Sequence, residues 1–274
     1  MKRVIILLIL LSSTILGKSQ NGDAFMIKCQ TFIKNGQYQE AIDYCNKYLQ
    51  IDNTSSIIYM NRGVAYFKLN QIDKSNSDLD SAIILDSKNY MAFFNRGNLF
   101  QRLSMNEKAL FDYNTCINFK SDFFNAYLNR ALLKEILNDT LGAFNDYLKC
   151  IELDKTNSLI YYNRAKLFSN LNQFSKSIND YNIAIECDSN YLESYINRGF
   201  VKIQTNDFNG AIKDFNSVIK LNPLYGEAYF NRGLSYLLLN NQPQACNDFF
   251  YASNLKINDQ TKMKILNLTR KYCK

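Results

Sequence analysis

The most regular chemical feature of the chain is an arginine that recurs every 34 residues, each followed 16 residues later by an aspartate. A ladder of guanidinium groups is typical of an anion-binding site, but partly buried arginines usually lie opposite carboxylates. Because the two residue types are matched one to one, we predict that each repeat holds its own ion pair. The arginines are Arg62, Arg96, Arg130, Arg164, Arg198 and Arg232, and the aspartates are Asp78, Asp112, Asp146, Asp180, Asp214 and Asp248.

The sequence lacks the residue types on which most catalytic and metal sites depend. It contains no histidine, which excludes Ser-His-Asp and Cys-His nucleophile systems and His-ligated metals. None of the seven cysteines has the Cys-x-x-Cys spacing typical of zinc sites, and no phosphate-binding loop motif occurs. We therefore expect no enzymatic activity, no catalytic residues, no metal and no cofactor.

Small and aromatic residues recur with the same 34-residue period as the arginines and aspartates, and they predict the helices that position these charged residues. A small residue follows each arginine, a second small residue lies 12 positions later, and aromatic residues flank both at helical spacing. This pattern predicts two helices per repeat, whose backbones approach closely where the small residues face each other. Between them stands an asparagine or a serine, and asparagine readily adopts the left-handed conformation that ends a helix.

The order of aromatic and small residues within a 34-residue period resembles that of the tetratricopeptide repeat family. The resemblance covers residues 20–259, and it implies an all-α, right-handed superhelical α-solenoid of about seven helix-turn-helix repeats. The departures are few: the terminal proline of the family occurs only as Pro223, and Lys134 and Lys202 replace an aromatic residue. The predicted repeats span residues 22–55, 56–89, 90–123, 124–157, 158–191, 192–225 and 226–259, and residues 260–274 are expected to form a capping helix.

In this family the first helix of each repeat lines the concave surface, which holds an extended partner peptide. An amide both donates and accepts, so asparagines on that surface suit a peptide backbone. Two alternatives stay open: the apolar residues pack only between helices, and each asparagine bonds the helix of a neighbouring repeat. The candidate partner-binding residues are Asn61, Asn95, Asn129, Asn163, Asn197 and Asn231, with Phe94, Tyr162, Ile196 and Phe230 beside them.

The resemblance predicts a protein-protein interaction scaffold or adaptor that binds an extended segment of a partner. Family members that clamp the carboxylate of a chaperone's C-terminal peptide carry lysine in the column of Met60 and Phe94, so that activity is not supported. The alternative is a self-associating structural or assembly component of the cell envelope. We expect a monomer with a protein or peptide partner and no nucleic-acid partner, because no cluster of basic residues is present.

The N-terminus has the layout of a cleavable signal peptide. Lys2 and Arg3 precede an apolar run that is too short to span a membrane, and small residues surround a cleavage point before Gln20. Removal of residues 1–19 lowers the formal charge from +7 to +4. We therefore expect a secreted or periplasmic protein that contacts the membrane only through this segment before cleavage. The alternative is an N-terminal signal anchor.

An exported chain can form disulfides, and four of the cysteines lie near its ends. Cys29 and Cys45 belong to the two predicted helices of the first repeat. Cys246 can meet Cys273 if the terminal helix packs back on the last repeat. We predict disulfides between Cys29 and Cys45 and between Cys246 and Cys273. Cys116 and Cys150 lie instead in a third small-residue column, seven residues after the second, which indicates core packing.

Overall fold

The computed structural model describes residues 24–273, and this part of the chain consists of fifteen α-helices without a β-strand. This confirms the predicted all-α class of helix-turn-helix repeats. None of the described helices is long and apolar enough to cross a membrane, and the predicted signal segment lies outside the described residues. The helices are α1 (24–34), α2 (Tyr38–Leu49), α3 (Ser56–Lys68), α4 (Ile72–Leu85), α5 (Tyr90–Arg102), α6 (Asn106–Phe119), α7 (Phe124–Ile136), α8 (Thr140–Leu153), α9 (Ser158–Asn170), α10 (Phe174–Cys187), α11 (Leu192–Gln204), α12 (Phe208–Leu221), α13 (Gly226–Leu238), α14 (Gln242–Ser253) and α15 (Asp259–Tyr272).

The helices pack as successive hairpins within two compact units, which divide between Asp139 and Thr140. The N-terminal unit contains α1 to α7, and the C-terminal unit contains α8 to α15. In each unit the first helix of a repeat, its A helix, packs on the second, its B helix, and the B helix packs on the next A helix. The odd-numbered helices from α1 to α13 are therefore A helices, and the even-numbered ones from α2 to α14 are B helices.

Close approach within each hairpin explains the first column of small residues. A Cβ atom added to Gly97 would lie 2.8 Å from the ring of Tyr113, and one added to Gly233 would lie 2.8 Å from the ring of Phe249. Because both distances are shorter than van der Waals contact, only glycine lets the large B-helix residue reach the A-helix backbone here. These B-helix residues are almost completely buried: Leu79, Tyr113, Tyr147, Tyr181, Phe215 and Phe249.

A left-handed residue separates the two helices of each hairpin, as the sequence predicted. At Asn172, for example, φ is 56°. Its N–H donates to the carbonyl oxygen of Ser169 (2.9 Å), and the N–H of Gln173 donates to that of Phe168 (2.9 Å), which closes the end of α9. Equivalent positive φ angles occur at Gly36, Asn70, Ser104, Asn138, Asn206 and Asn240.

Disulfides join neighbouring helices near both ends of the described chain. Cys29 on α1 is bonded to Cys45 on α2, with the two Cα atoms 6.6 Å apart. Cys246 on α14 is bonded to Cys273, directly after α15, with the Cα atoms 5.6 Å apart. Each bond therefore ties together two helices of an end that has a repeat on one side only.

The remaining cysteines differ in accessibility. Cys116 and Cys150 are completely buried in the third small-residue column, where core packing was expected. Burial, together with the nearby Asp112 carboxylate, raises the pKa of the Cys116 thiol to about 12. Cys187 is an exposed free thiol.

The terminal helix α15 packs on the last repeat. It begins after Asn258, whose side chain accepts a hydrogen bond from the N–H of Thr261 (2.8 Å). Ile265 is buried in one cluster with Phe230 and Phe249 of the last repeat. The helix thus covers apolar surface that a further repeat would otherwise bury, as expected of a cap.

We predict that each disulfide stabilises its end of the array. Replacing Cys246 and Cys273, or Cys29 and Cys45, by serine should lower the free energy of unfolding by about 2–4 kcal/mol, because the unfolded chain gains conformational freedom. The matched control is Cys187→Ser, which removes an exposed thiol and should leave stability unchanged. Urea unfolding followed by circular dichroism measures the differences, and equal stability of all three proteins would contradict the prediction.

Candidate partner-binding surface

The recurring arginines pair with the aspartates of their own repeats. Nε and Nη2 of Arg96 donate to the two carboxylate oxygens of Asp112, both at 2.8 Å. The other bidentate pairs have the same arrangement and join an A helix to its B helix. This confirms the predicted ion pair for Arg62–Asp78, Arg96–Asp112, Arg164–Asp180, Arg198–Asp214 and Arg232–Asp248.

Five of the six recurring arginines also bind the preceding repeat, which the sequence analysis missed. Nη1 of Arg232 donates to Oδ1 of Asn216 (2.6 Å), 16 residues earlier. Since these arginines are held by the scaffold on both sides, they do not form an anion-binding ladder. The visible signal was an amide two residues after the aspartate column in four of the seven B helices. The further pairs are Arg62–Asn46, Arg96–Asp80, Arg130–Asn114 and Arg198–Asn182.

The six candidate asparagines, which we call the asparagine ladder, differ in their hydrogen-bond partners. Nδ2 of Asn129 donates to Oδ1 of Asn98 (2.7 Å), and Nδ2 of Asn197 donates to Oη of Tyr162 (3.0 Å). Both acceptors belong to the preceding repeat, which is the inter-repeat bonding that the sequence left open. These two asparagines therefore help to hold adjacent A helices together.

Among the described residues, the other four asparagines form no hydrogen bond with a neighbouring repeat. Asn95 donates to the carbonyl oxygen of Met91 (2.8 Å) and Asn231 to that of Glu227 (2.7 Å), both within their own helices. Asn61 is 3% exposed, and its Nδ2 has no acceptor among the described residues. Asn163 is buried as well. The ladder is thus not a uniform row of free amides.

The four apolar residues beside the asparagines differ in exposure. Phe230 is buried in the cluster of the last repeat, and Phe94 packs edge to face on Phe123, with the ring centroids 5.1 Å apart. Tyr162 and Ile196 are partly exposed. Phe94 is partly exposed as well. Tyr162 and Ile196 are the two partly exposed candidates of the C-terminal unit, where Phe230 is buried.

The C-terminal unit has an aromatic and acidic surface that the repeat pattern did not reveal. Tyr191 stands directly before α11, and its ring meets that of Tyr162 edge to face at 5.0 Å. Tyr225 stands at the equivalent position before α13, and Glu193 and Glu227 lie in the first turns of these helices. We call these five residues the tyrosine–glutamate face. Sequence analysis missed four of them because they do not recur in other repeats.

The charges of this face are close to its rings. Burial raises the pKa of Tyr191 to about 12, with further contributions from Tyr162, Glu193 and Asp188. Burial also raises the pKa of Tyr225, with Glu227 and Glu193 adding to the effect. Glu193 thus acts on tyrosines of two repeats, and the face combines aromatic rings with negative charge. Such a combination suits positively charged and apolar side chains of a protein partner.

The fold and these surfaces define a scaffold of helical hairpins without an evident catalytic arrangement in the described residues. Models of the tetratricopeptide repeat match residues 22–55, 124–157, 146–179 and 201–253, which together make up just over half of the chain. The chain belongs to the tetratricopeptide repeat family. Proteins of this family are generally non-enzymatic scaffolds that bind protein or peptide partners.

Solved structures share this fold. The C-terminal part of a tetratricopeptide repeat protein from Cytophaga hutchinsonii matches with a TM-score of 0.73 and 16% identity, over 88% of this chain and 99% of that one. A tetratricopeptide repeat protein from Parabacteroides merdae matches with a TM-score of 0.61 and 21% identity, over 90% and 98%.

A larger structural relative is a chain of the APC/C hetero-tetramer Cut9-Hcn1, which matches with a TM-score of 0.63 and 14% identity over 89% of this chain. The present chain spans about half the length of that relative, 48%. At these identities the likeness shows the fold alone. Among curated proteins, no sequence matches the chain.

We predict that Asn197 and Tyr162 are energetically coupled across two repeats. Tyr162→Phe removes the acceptor of the Asn197 amide and should lower the free energy of unfolding by about 0.5–1.5 kcal/mol. Asn197→Ala should have little further effect in the Tyr162→Phe background, because the bond is already lost. Urea unfolding of the four proteins of this cycle measures the coupling. Fully additive effects would mean that the hydrogen bond does not support the scaffold.

Proposed function

We propose that this protein is an exported adaptor that binds an extended segment of a partner protein along the A helices of its C-terminal unit. The observation that carries the proposal is the tyrosine–glutamate face, which offers aromatic rings and carboxylates at the start of consecutive A helices. The family resemblance supports this assignment, because A helices line the concave, peptide-binding surface in tetratricopeptide repeat proteins.

Apolar contacts extend this surface along the helices. Leu159 on α9 and Phe200 on α11 are each 40% exposed. Phe200 lies one helical turn after Ile196 and packs on Phe215, with the ring centroids 5.9 Å apart. Large side chains that remain exposed while anchored on the core lose little freedom on binding, which favours affinity.

We propose that the side-chain amide of Asn197 binds the backbone of the partner segment. Its Nδ2 is used by Tyr162, but its Oδ1 accepts no hydrogen bond from the described residues. This oxygen can therefore accept an N–H from an extended partner segment while the scaffold contact is kept. The carboxylates of Glu193 and Glu227 favour lysine or arginine beside the bound backbone.

Export is proposed from the N-terminal signal layout, and the two disulfides support it. The signal layout is a feature of the sequence of residues 1–19. The disulfides Cys29–Cys45 and Cys246–Cys273 are features of the structure. Stable disulfides are typical of secreted and periplasmic proteins and rare in reducing compartments. The N-terminal anchor is the competing arrangement for the same segment.

Site-specific photo-crosslinking tests the binding surface. We predict that a benzophenone side chain at Leu159 or Phe200 captures one defined partner in the native host, because both positions adjoin the proposed surface. The matched control is Leu141 on α8, a B-helix residue that is 73% exposed. Crosslinked peptides identified by mass spectrometry measure the outcome.

The pattern of adducts separates the competing functions. Capture from Leu159 and Phe200 that is lost in a Glu193→Gln, Glu227→Gln double variant supports binding of a basic segment to this face. The same adducts from Leu141 would contradict the assigned surface. Adducts between two copies of the 31.8 kDa chain would favour the self-associating envelope component.

The N-terminus of the protein purified from its host tests export. We predict that sequencing of the mature chain begins at Gln20, because signal peptidase cleaves after small residues. A mature chain that begins at Met1 and stays with the membrane fraction would show a signal anchor instead. Replacing Leu8 by arginine, which interrupts the apolar run, should abolish export in both arrangements and serves as the control.

A further inference from the structure

A groove on the N-terminal unit is lined by residues other than those of the surface proposed above. It follows α4 from Asp73 to Ile84, about 16 Å along the helix, and its other wall is formed by the end of α5 and the start of α6. Two adjoining cavities of about 560 and 500 Å³ make up the groove. Asn76, Asp80, Phe100 and Lys108 line both cavities.

Two departures from the repeat pattern shape this groove. Position 76 is apolar or cysteine in every other repeat but asparagine here, and position 80 is an amide in four other repeats but aspartate here. The two residues are one helical turn apart on α4, so both changes alter the same wall. The equivalents of Asn76 are Ile42, Leu110, Phe144, Ile178, Ile212 and Cys246, and those of Asp80 are Asn46, Asn114, Leu148, Asn182, Asn216 and Phe250.

The aspartate gives the groove an excess of negative charge. Asp80 and Asp112 share the guanidinium of Arg96, at 2.7 and 2.8 Å. Burial raises the pKa of Asp112, and the Asp80 carboxylate adds to this effect although Arg96 opposes it. With Asp73 and Glu107, four carboxylates face the two cations Arg96 and Lys108 in the lining.

The asparagine leaves an acceptor without a donor. Nδ2 of Asn76 donates to Oδ2 of Asp80 (3.0 Å), but the buried Oδ1 has no hydrogen-bond partner among the described residues. A buried acceptor without a partner is unfavourable, so a donor brought by a ligand would be stabilised there. Apolar surface borders these polar groups, since Ile84 is 82% and Phe111 64% exposed.

We propose that this groove binds an arginine side chain of a partner protein, flanked by apolar residues of the same segment. A guanidinium supplies five N–H donors and a positive charge, which match the carboxylates of Asp73 and Asp80 and the Oδ1 of Asn76. The apolar neighbours of the arginine contact Ile84 and Phe111. The groove is formed by the B helices α4 and α6 and the end of the A helix α5, all in the N-terminal unit, so it does not depend on the tyrosine–glutamate face.

The variants that test this proposal restore the pattern of the other repeats. Asp80→Asn keeps an acceptor for Arg96, as Asn114 does for Arg130, but removes the charge. Asn76→Leu introduces the residue found at position 110 and fills the groove. Both variants should fold with at least the stability of the parent chain, because the changed residues are those of its own repeats.

The probe is the blocked peptide Ala-Leu-Arg-Leu-Ala, and its control carries citrulline, the neutral isostere of arginine. Titration into the isotopically labelled mature chain, followed by amide chemical shifts, should move signals of α4 and the start of α6. The citrulline peptide and the Asp80→Asn variant should each weaken binding by about tenfold, and Asn76→Leu should abolish it. Melting curves of the two variants verify that they are folded.

Three results would overturn the proposal. The first is no shift in α4 or α6 at millimolar arginine peptide. The second is equal affinity for the arginine and citrulline peptides, which would remove the role of charge. The third is shifts confined to α9, α11 and α13, which would assign the peptide to the tyrosine–glutamate face and leave the groove without a ligand.

Discussion

The array depends on how a buried guanidinium group is satisfied in each repeat. Arg232 shows the arrangement: Nε and Nη2 bind Asp248 on the B helix of its own repeat, and Nη1 binds Asn216 of the preceding repeat. A guanidinium removed from water needs such partners, and loss of one leaves an uncompensated charge. The aromatic columns complete the site, since Arg96 lies 5.6 Å from the ring centroids of both Phe93 and Phe100. One side chain thus joins two helices of one repeat to the next.

The array tolerates a substitution at one of these positions because the neighbouring repeats keep the same contacts. Lys202 replaces an aromatic residue, and its Nζ lies 2.9 Å from Oδ2 of Asp214, so this carboxylate holds two cations. Leu148 stands where other repeats have an amide, on the B helix before Arg164, and Arg164 keeps its bidentate pair with Asp180. In a solenoid each repeat contacts only its neighbours, so these changes have local consequences.

Binding specificity therefore resides in the positions that the scaffold leaves free. The periodic residues take part in hairpin packing and in contacts between repeats. By contrast, tyrosine occurs in the column of Tyr191 and Tyr225, and glutamate in the column of Glu193 and Glu227, in only these two repeats. The same holds for Asn76 and Asp80, which depart from a column that is otherwise apolar or amide. A repeat array can thus hold an aromatic, acidic face on A helices of one unit and a polar groove between helices of the other unit while its helical packing is kept.

The sequence by itself determined the helical hairpins, their left-handed turns and the Arg–Asp pairs, because these are local features that recur with one period and reinforce one another. It also indicated which cysteines face each other, since Cys29 and Cys45 lie on the two helices of one hairpin. Only the tertiary structure decided the role of each ladder asparagine. Asn129 and Asn197 bond the preceding repeat because Asn98 and Tyr162 offer acceptors there, whereas Asn95 turns to its own helix. The hydrogen-bond partner of each asparagine depends on which side chain the neighbouring repeat places beside it. The recurrence of asparagine every 34 residues does not contain this information.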